Sequence, residues 1–419
     1  MSEAKLKAPR GTFDVLAQDA CARSAIEQRA RAVLGGAGYE RIETPTFEST
    51  ELFARGVGES TDIVRKEMFT FEDAGGRSLT LRPEGTAPVC RAYVEHGMHK
   101  RRQPVKLWYL SSFFRHERAQ AGRYRQFWQV GAEALGSEDP AVDAESIALL
   151  AALLDELEVR EVRLRLSSLG GIDARIAYRE RLQAHLHAHS DQLSEDVRSR
   201  IDLNPLRAFD SDHPGTRAVM AGAPRLLDHL DPGDAEHFAQ VRALLDAAGV
   251  AYEVDPTLVR GLDYYTRTVF EFTSDALGAQ SGVGGGGRYD GLVRQLGGPP
   301  TPGMGWAAGI ERIMLAGTPP MSAPEAVELF VAVEGGDGDL QAAAFSLLSQ
   351  ARSAGLNAQM DLGGRSLKGQ LGHASALGAR FIATIGADGV LLRDVQAREE
   401  SRLAADAVVH AVLRGQHAL

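Results

Sequence analysis

The chain contains Leu258-Val-Arg-Gly-Leu-Asp-Tyr-Tyr-Thr-Arg-Thr-Val-Phe270 and, shortly afterwards, Ser281-Gly-Val-Gly-Gly-Gly-Gly-Arg-Tyr-Asp-Gly-Leu292. Between the arginines and the glycines, residues 269–272 are typical of a β-strand. The glycine run at 284–287 does not predict an ordinary strand interior, because glycine loses much backbone entropy and packs no side chain. Such a run is expected where a ligand or another backbone approaches closely, and neighbouring arginines suit an anion. The plainer interpretation is a glycine-rich hairpin with solvated arginines.

Residues 105–135 predict an antiparallel hairpin with a strongly cationic connecting loop. The arms are apolar and aromatic, from Val105 to Phe114 and from Gln126 to Glu133. The positive charges of such a loop repel one another unless an anion is bound. Arginine is well shaped for bidentate contacts with phosphate. The loop carries Arg115, Arg118, Arg123 and Arg125 against the single acid Glu117.

A third element, Gly303-Met-Gly-Trp-Ala-Ala-Gly-Ile-Glu-Arg312, predicts a small-residue strand that runs into a helix. Gly303, Gly305 and Gly309 leave room above the surface of that strand. Arg312 falls at the start of the predicted helix. Together the three elements suggest a glycine-lined, arginine-rimmed surface for an anionic ligand.

These segments resemble motif 2, the histidine-specific signatures and motif 3 of the histidyl-tRNA synthetase family, which belongs to class II of the aminoacyl-tRNA synthetases. Further matching pieces are Pro9-Arg-Gly-Thr-Phe-Asp-Val15, Tyr39-Glu-Arg-Ile-Glu-Thr-Pro45 (motif 1) and Leu81-Arg-Pro-Glu-Gly-Thr-Ala87 (the amino-acid-binding loop). The resemblance covers essentially the whole chain, in order. It implies ATP-dependent ligation of L-histidine to tRNA(His) through a histidyl-adenylate, with release of AMP and diphosphate.

The resemblance also implies roles for individual residues. Arg115 is expected at the α-phosphate, and Arg260 near the carboxylate and α-phosphate, where related enzymes use a metal ion; these two are the candidate catalytic residues. The ATP set is Arg115, Glu117, Arg123, Phe127 and Arg312. Within it, Arg123 is expected at the outer phosphates, and Phe127 and Arg312 are expected on the two sides of adenine. The histidine set is Glu84, Thr86 and Gln129 at the ammonium, Glu133 and Tyr265 at the two imidazole nitrogens, Arg260, and Tyr264 and Tyr289 closing the pocket. The tRNA set is Arg118, Gln120, Arg365 and Lys368. Mg²⁺ is expected to arrive with ATP, with no metal fixed by the protein alone.

Each assignment has a plainer alternative in the sequence. Glu84 is also consistent with an exposed loop carboxylate, and Glu133 with a residue flanking a strand. Tyr264 and Tyr265 alternate in direction, so one of them is also consistent with ordinary core packing. One departure from the family is visible, since Arg118-Ala119-Gln120 stands where the family often has Arg-Pro-Gln. Alanine frees a backbone that proline would fix.

Composition sets outer limits. A chain of 419 residues with 44% hydrophobic residues predicts two to three domains. No apolar run is long enough to span a bilayer, and the N-terminus lacks an apolar signal region, which predicts a cytoplasmic protein. Cys21 and Cys90 match no zinc or CxxC spacing, and we expect unpaired thiols in a reducing compartment. The net charge of −10 argues against a broad basic face but permits local RNA-binding patches.

The predicted fold is α+β, with a class II antiparallel-sheet catalytic core, a helical insertion and a C-terminal α/β anticodon-binding domain. The predicted boundaries are 1–168 and 251–318 for the core, 169–250 for the insertion, 319–326 for a linker and 327–419 for the C-terminal domain. Motif 1, mapped to residues 18–45, implies a homodimer.

Two other functions remain open. Some bacterial relatives of these synthetases are non-catalytic regulatory subunits of ATP phosphoribosyltransferase in histidine biosynthesis, and they tend to lose the anticodon-binding domain and parts of the Arg-Gly-Leu-Asp-Tyr-Tyr segment. This chain keeps both. A synthetase for another amino acid is disfavoured by the tyrosine pair and by Glu133. No membrane partner is expected.

Overall fold

The computed structural model of the chain describes residues 5–58, 61–118, 122–258, 262–278, 281–318, 326–335 and 338–416. The chain forms two compact units, Met1–Met321 and Ser322–Leu419, which are described separately below.

The first unit is a mixed helix-and-sheet domain. Its strands are β1 (Glu40–Arg41), β2 (Phe47–Ser49), β3 (Phe69–Glu72), β4 (Ser78–Leu81), β5 (Val105–Phe114), β6 (Gln126–Leu135), β7 (Val162–Ser168), β8 (Glu253–Val254), β9 (Thr266–Ser274), β10 (Gly282–Arg288) and β11 (Gly303–Gly309). Its helices are α1 (Ala17–Gly36), α2 (Thr50–Val57), α3 (Thr86–Glu95), α4 (Pro140–Glu156), α5 (Ile172–Ala188), α6 (Glu195–Arg198), α7 (Pro214–Ala221), α8 (Pro232–Ala247), α9 (Leu292–Gln295) and α10 (Ile310–Ala316).

The central sheet of this unit has, within the described residues, eight strands in the order β1-β5-β6-β11-β10-β9-β7-β8. The two edge pairs, β1 with β5 and β7 with β8, are parallel, and the remaining pairs are antiparallel. The predicted hairpin is confirmed as β5 and β6, which pair without a break from Val105 opposite Leu135 to Phe114 opposite Gln126. The strand predicted at 269–272 is confirmed within β9. A small sheet, β2-β4-β3, lies in the same unit.

Alternation along the strands separates a helix-covered face from a ligand-accessible face. Val130, Ala132 and Ala134 of β6 point into a core formed with α1, α4 and α8. Leu135 of β6 lies on the opposite face and packs in a second core with α3 and α5. Helix α8 falls inside the predicted insertion 169–250, yet its Val241 and Leu245 pack in the same core as α4.

The expectation for the glycine run is wrong in one respect, because Gly284–Gly287 lie inside β10, between β9 and β11. The reason is the close approach of the neighbouring strands. A Cβ on Gly286 would lie 1.9 Å from the carbonyl oxygen of Gly305, and one on Gly287 would lie 2.5 Å from that of Thr268. Glycine is therefore required by backbone contacts on both sides, in addition to any ligand.

The second unit is a small α/β domain. Its elements are β12 (Leu329–Val333), α11 (Gly338–Ser353), β13 (Ala358–Met360), α12 (Leu367–Ala376), β14 (Phe381–Gly386), β15 (Gly389–Asp394), β16 (Glu399–Leu403) and α13 (Ala405–Gln416), with sheet order β13-β12-β14-β15-β16. The α/β class predicted for the C-terminal domain is confirmed, although the sequence analysis did not predict the strands β15 and β16. No helix within the described ranges is long and apolar enough to cross a membrane.

Candidate active site

Two adjoining cavities open on the ligand-accessible face of the central sheet. The inner cavity has a volume of about 180 Å³, and the outer cavity a volume of about 640 Å³. Four residues border both cavities, namely Arg115, Gln129, Gly285 and Ala307. The inner cavity is otherwise lined by Ile63, Glu84, Gly85, Thr86, Tyr109, Leu262, Tyr264, Tyr265 and Trp306.

The register of the sheet explains why these side chains converge. Phe127, Gln129 and Glu133 are spaced by even numbers on β6 and therefore share its ligand-accessible face. Gly131 lies between them, opposite Tyr109 of β5. A Cβ on Gly131 would lie 2.3 Å from the Tyr109 ring, so glycine is needed to admit that tyrosine.

Glu133 is fully buried beneath the inner cavity and accepts hydrogen bonds from three hydroxyl groups. Tyr289 donates to Oε2 at 2.5 Å, Thr86 donates to Oε1 at 2.8 Å, and Tyr109 donates to Oε1 at 3.4 Å. Burial raises the pKa of Glu133 from its ordinary 4.5 to about 8, although these donors oppose the shift. The carboxyl group therefore holds its proton to a higher pH than an exposed glutamate does.

Glu84 is also buried, and it lies on the wall of the inner cavity at the start of α3. It accepts hydrogen bonds from the backbone N–H groups of Thr86 at 2.8 Å and Ala87 at 2.9 Å. Burial raises its pKa, while these donors and nearby Arg115 oppose the change. Tyr264 donates to Glu84 Oε2 at 3.4 Å, and its ring lies 4.8 Å from that of Tyr265. This wall supplies a carboxyl group and two phenols to a small ligand.

Arg115 is anchored where the two cavities meet. Its Nε donates to the carbonyl oxygen of Pro83 at 2.8 Å, and its guanidinium carbon lies 5.3 Å from the centroid of the Phe127 ring. Glu117 lies 3.8 Å from Arg115 and 3.5 Å from Arg123. The arginine is thus held by the backbone and by an aromatic face, and it borders both cavities.

Arg312 borders the outer cavity on the side of β10 and α10. It donates to the carbonyl oxygens of Gly282 and, at 3.4 Å, Gly122. Burial lowers its pKa, and nearby Arg123 adds to the effect. The outer cavity therefore combines three arginines with a glycine-rich floor, and this arrangement suits a nucleotide triphosphate.

Most of the predicted histidine and ATP residues lie at these cavities. Glu133 and Tyr289 are not among the described residues that line the inner cavity, since they form the layer below it. Arg118 is exposed. Arg260 and Gln120 lie outside the described residues. In the second unit Arg365 forms an ion pair with Asp361, and Lys368 is exposed in the first turn of α12.

Two supporting residues were missed by sequence reasoning. Tyr109, assigned to an apolar strand, donates to Glu133 and lines the inner cavity. Glu311 accepts hydrogen bonds from the backbone N–H of Trp128 at 3.0 Å and from Arg23 at 2.7 Å. It is buried beside Arg312, and burial raises its pKa. The place of Glu311 directly before Arg312 in motif 3 was the signal available for it.

Two family models match most of the chain. A family model described as Histidyl-tRNA synthetase matches residues 11–313, and one described as Anticodon binding domain matches residues 329–414. The histidine–tRNA ligase of Halorhodospira halophila is 50% identical over 392 residues, covering 93% of this chain and 92% of the relative. That of Thermosynechococcus vestitus is 48% identical, covering 91% and 89%.

Among solved structures, apo S. aureus histidyl-tRNA synthetase superposes with a TM-score of 0.80 at 36% identity and covers 97% of this chain and 100% of its own. The similarity extends over the first unit and the second unit alike. The chain belongs to the histidyl-tRNA synthetase family.

Proposed function

We propose that this chain ligates L-histidine to tRNA(His) in two steps. In the first, a carboxylate oxygen of histidine attacks the α-phosphorus of ATP, so that histidyl-adenylate forms and diphosphate leaves. In the second, a terminal ribose hydroxyl of the tRNA attacks the acyl carbon and loses its proton, the ester bond forms, and the bond from the acyl carbon to the phosphate oxygen breaks so that AMP leaves. The observation that carries the proposal is the junction of a small polar cavity with a larger arginine-lined one at Arg115 and Gln129.

Bringing a carboxylate to a triphosphate requires compensation of their mutual repulsion. Among the described residues, Arg115 is the one charged side chain that borders both cavities. It is therefore assigned to the α-phosphate and the developing charge around it. Arg260, in the matching family motif, is assigned to the carboxylate and the α-phosphate. Arg123 is assigned to the outer phosphates, and Glu117 to the ATP site beside it.

The adenine is assigned to the slot between Phe127 and Arg312, which both border the outer cavity. Stacking on the phenyl ring and a cation–π contact from the guanidinium would favour a flat, electron-rich base. Glu311 supports both sides of the slot, because it is the chain neighbour of Arg312 and accepts the N–H of Trp128, the neighbour of Phe127.

Histidine is assigned to the inner cavity. Its ammonium group is assigned to Glu84, Thr86 and Gln129, and its ring to Tyr265 and Glu133. Thr86 and Tyr109 line the cavity and donate to Glu133, so the buried carboxyl group orients two hydroxyls on the cavity wall. A side chain that cannot pair with these polar groups leaves them unsatisfied, and the resulting penalty rejects an isostere without ring nitrogens.

Magnesium is assigned to the ATP substrate. Within the described ranges no group of three or more His, Cys, Asp and Glu side chains is arranged to hold a metal ion. Glu117 and Glu271 are carboxylates at the outer cavity, and they are the residues that would contact such an ion beside the phosphates. Bound there, the ion would neutralise charge on the outer phosphates.

Binding of tRNA is assigned to the motif 2 loop, through Arg118 and Gln120, and to the second unit, through Arg365 and Lys368. Single-stranded RNA is recognised by stacking and polar edges more than by bulk charge, so a chain of net charge −10 can serve. Residues 18–45 are assigned to a two-fold interface, and light scattering at micromolar concentration should give the mass of a dimer.

A regulatory subunit without ligase activity is the second candidate. Against it stand the family match over residues 11–313 and the anticodon-binding match over 329–414. The polar inner cavity and the anchored Arg115 favour catalysis as well.

ATP–diphosphate exchange with each amino acid in turn tests the proposal. Histidine alone should support rapid exchange, and transfer to tRNA(His) should follow. Folded protein that gives no exchange with histidine, ATP and magnesium would refute ligase activity and favour the regulatory candidate.

A further inference from the structure

The tyrosine pair of the inner cavity lies in a segment that does not belong to the central sheet. Residues 262–265 belong to no strand of the described structure, since β9 begins only at Thr266. The backbone carbonyl groups of this segment therefore need partners from elsewhere. A single side chain of the helical insertion donates hydrogen bonds to two of these carbonyl groups.

Arg175 of α5 donates from Nη1 to the carbonyl oxygens of Asp263 and Tyr265, both at 2.8 Å. Its Nη2 lies 3.9 Å from a carboxylate oxygen of Asp263. The first carbonyl belongs to the peptide before Tyr264 and the second to the peptide after Tyr265, so one guanidinium holds both ends of the tyrosine pair. Burial lowers the pKa of Arg175, and nearby Asp263 opposes the shift.

Tyr264 needs such a restraint because it separates two spaces. Its inner side borders the histidine cavity, and its outer side borders a cleft of about 270 Å³ between the insertion and the core. The cleft is large enough to receive a displaced side chain. On its other sides Tyr264 is held by side-chain contacts, with its hydroxyl on Glu84 and its ring against Tyr265 and Tyr289, so the position of its backbone sets where those contacts fall.

We propose that Arg175 is a positioning residue that holds Tyr264 and Tyr265 in the geometry that binds histidine, and so links the helical insertion to amino-acid recognition. The inference rests on the proposed function, because it takes histidine as the ligand of the inner cavity. Arg175 acts through the tyrosines and does not border that cavity among the described residues.

A second contact from the insertion reaches the same stretch of chain. Asp234 of α8 accepts from Nε of Arg267 at 2.9 Å and from the backbone N–H of Gly171. Arg267 has a φ of 47°, a left-handed backbone that is unfavourable for a side chain larger than glycine. Residues of the insertion therefore contact both ends of the stretch 263–267, and Arg175 contacts the end that contains the tyrosine pair.

The test compares Arg175→Ala and Arg175→Lys with Arg179→Ala. Arg179 lies one turn further along α5 and borders the same cleft, but it donates to the carbonyl oxygens of Asp202 and Leu203 inside the insertion. Exchange kinetics are measured with histidine and ATP varied separately, and folding is checked by thermal unfolding.

Arg175→Ala should raise the KM for histidine about tenfold or more, as expected for loss of charge-assisted hydrogen bonds, and leave the KM for ATP unchanged. Arg175→Lys should be intermediate, because a single ammonium replaces the planar guanidinium. Arg179→Ala should match the parent.

An unchanged KM for histidine in folded Arg175→Ala would overturn the proposal. Equal rises in both KM values, shared by Arg179→Ala, would likewise assign Arg175 a merely structural role. If Arg175→Ala does not fold, Arg175→Lys decides, and a KM for histidine equal to that of the parent overturns the proposal. Failure of the parent itself to use histidine would instead refute the ligase function.

Discussion

The substitution Gly305→Ala should damage the histidine pocket from beneath. A Cβ on Gly305 would lie 1.7 Å from Oε2 of Glu133 and 2.8 Å from the carbonyl oxygen of Ala132. Neither neighbour can yield freely, since one belongs to a strand backbone and the other is held by the hydroxyl of Tyr289 at 2.5 Å. The added methyl group must therefore displace the carboxyl group or spread β6 from β11.

Either displacement lowers the free energy of unfolding. Overpacking of a core by one methyl group costs about 1–3 kcal/mol. Leaving the buried hydroxyl of Tyr289 without its acceptor costs about 1–3 kcal/mol more. We therefore expect the free energy of unfolding to fall by roughly 2–6 kcal/mol and the KM for histidine to rise.

Urea unfolding followed by tryptophan fluorescence is the assay. The three tryptophans of the chain, Trp108, Trp128 and Trp306, all belong to the first unit, so the signal reports that unit alone. Gly309→Ala on the same strand is the control, because its Cβ would come no closer than 3.5 Å to Arg312 and its φ of −78° suits alanine. Equal stability of the two variants would refute the steric argument.

Three further predictions concern protonation, catalysis and the second unit. Because burial raises the pKa of Glu133 to about 8, its neutral form stabilises the fold fully below the ordinary pKa of 4.5, and this contribution is lost as pH rises through 8. Unfolding free energy should thus decline more steeply between pH 5 and 8 in the parent than in Glu133→Gln, and parallel curves would contradict this. Arg260→Ala should slow adenylate formation by about 2–4 kcal/mol in the barrier with little change in histidine affinity, and unchanged exchange would remove it from the mechanism. Deletion of 320–419 should spare exchange but weaken tRNA charging, and full charging by the folded truncated chain would exclude an anticodon role.

The hairpin of β5 and β6 could be predicted from the sequence because its apolar arms are long and its loop is strongly charged. A long pattern of one kind leaves few competing structures. The convergence of Arg115, Phe127 and Gln129 then follows from strand alternation. The resemblance to the family supplied the partners from distant parts of the chain, such as Glu84 and Arg312.

Tyr109 was missed because its sequence neighbours are apolar. Its hydroxyl donates to Glu133 of the neighbouring strand β6, and the sequence around Tyr109 does not show that contact. The strands β15 and β16 were missed because their signals are local and weak. Gly389, with φ of 102°, turns the chain from β14, and the carboxylate of Asp394 accepts the backbone N–H groups of Gln396 and Ala397. Such turns depend on a few hydrogen bonds that cannot be predicted from the polar composition of a segment.

The pairing of β6 with β11 has a consequence for the order in which the chain folds. Glu133 lies opposite Gly305 in that pair, so the floor of the histidine pocket joins two places that are far apart in the chain. Closing so long a loop costs little extra free energy, because the cost grows only with the logarithm of loop length, but contacts of this range form slowly. The hairpin of β5 and β6 is local and can form early. The pocket therefore assembles late, and a nascent chain on the ribosome can bind histidine only after residues through Gly309 have emerged.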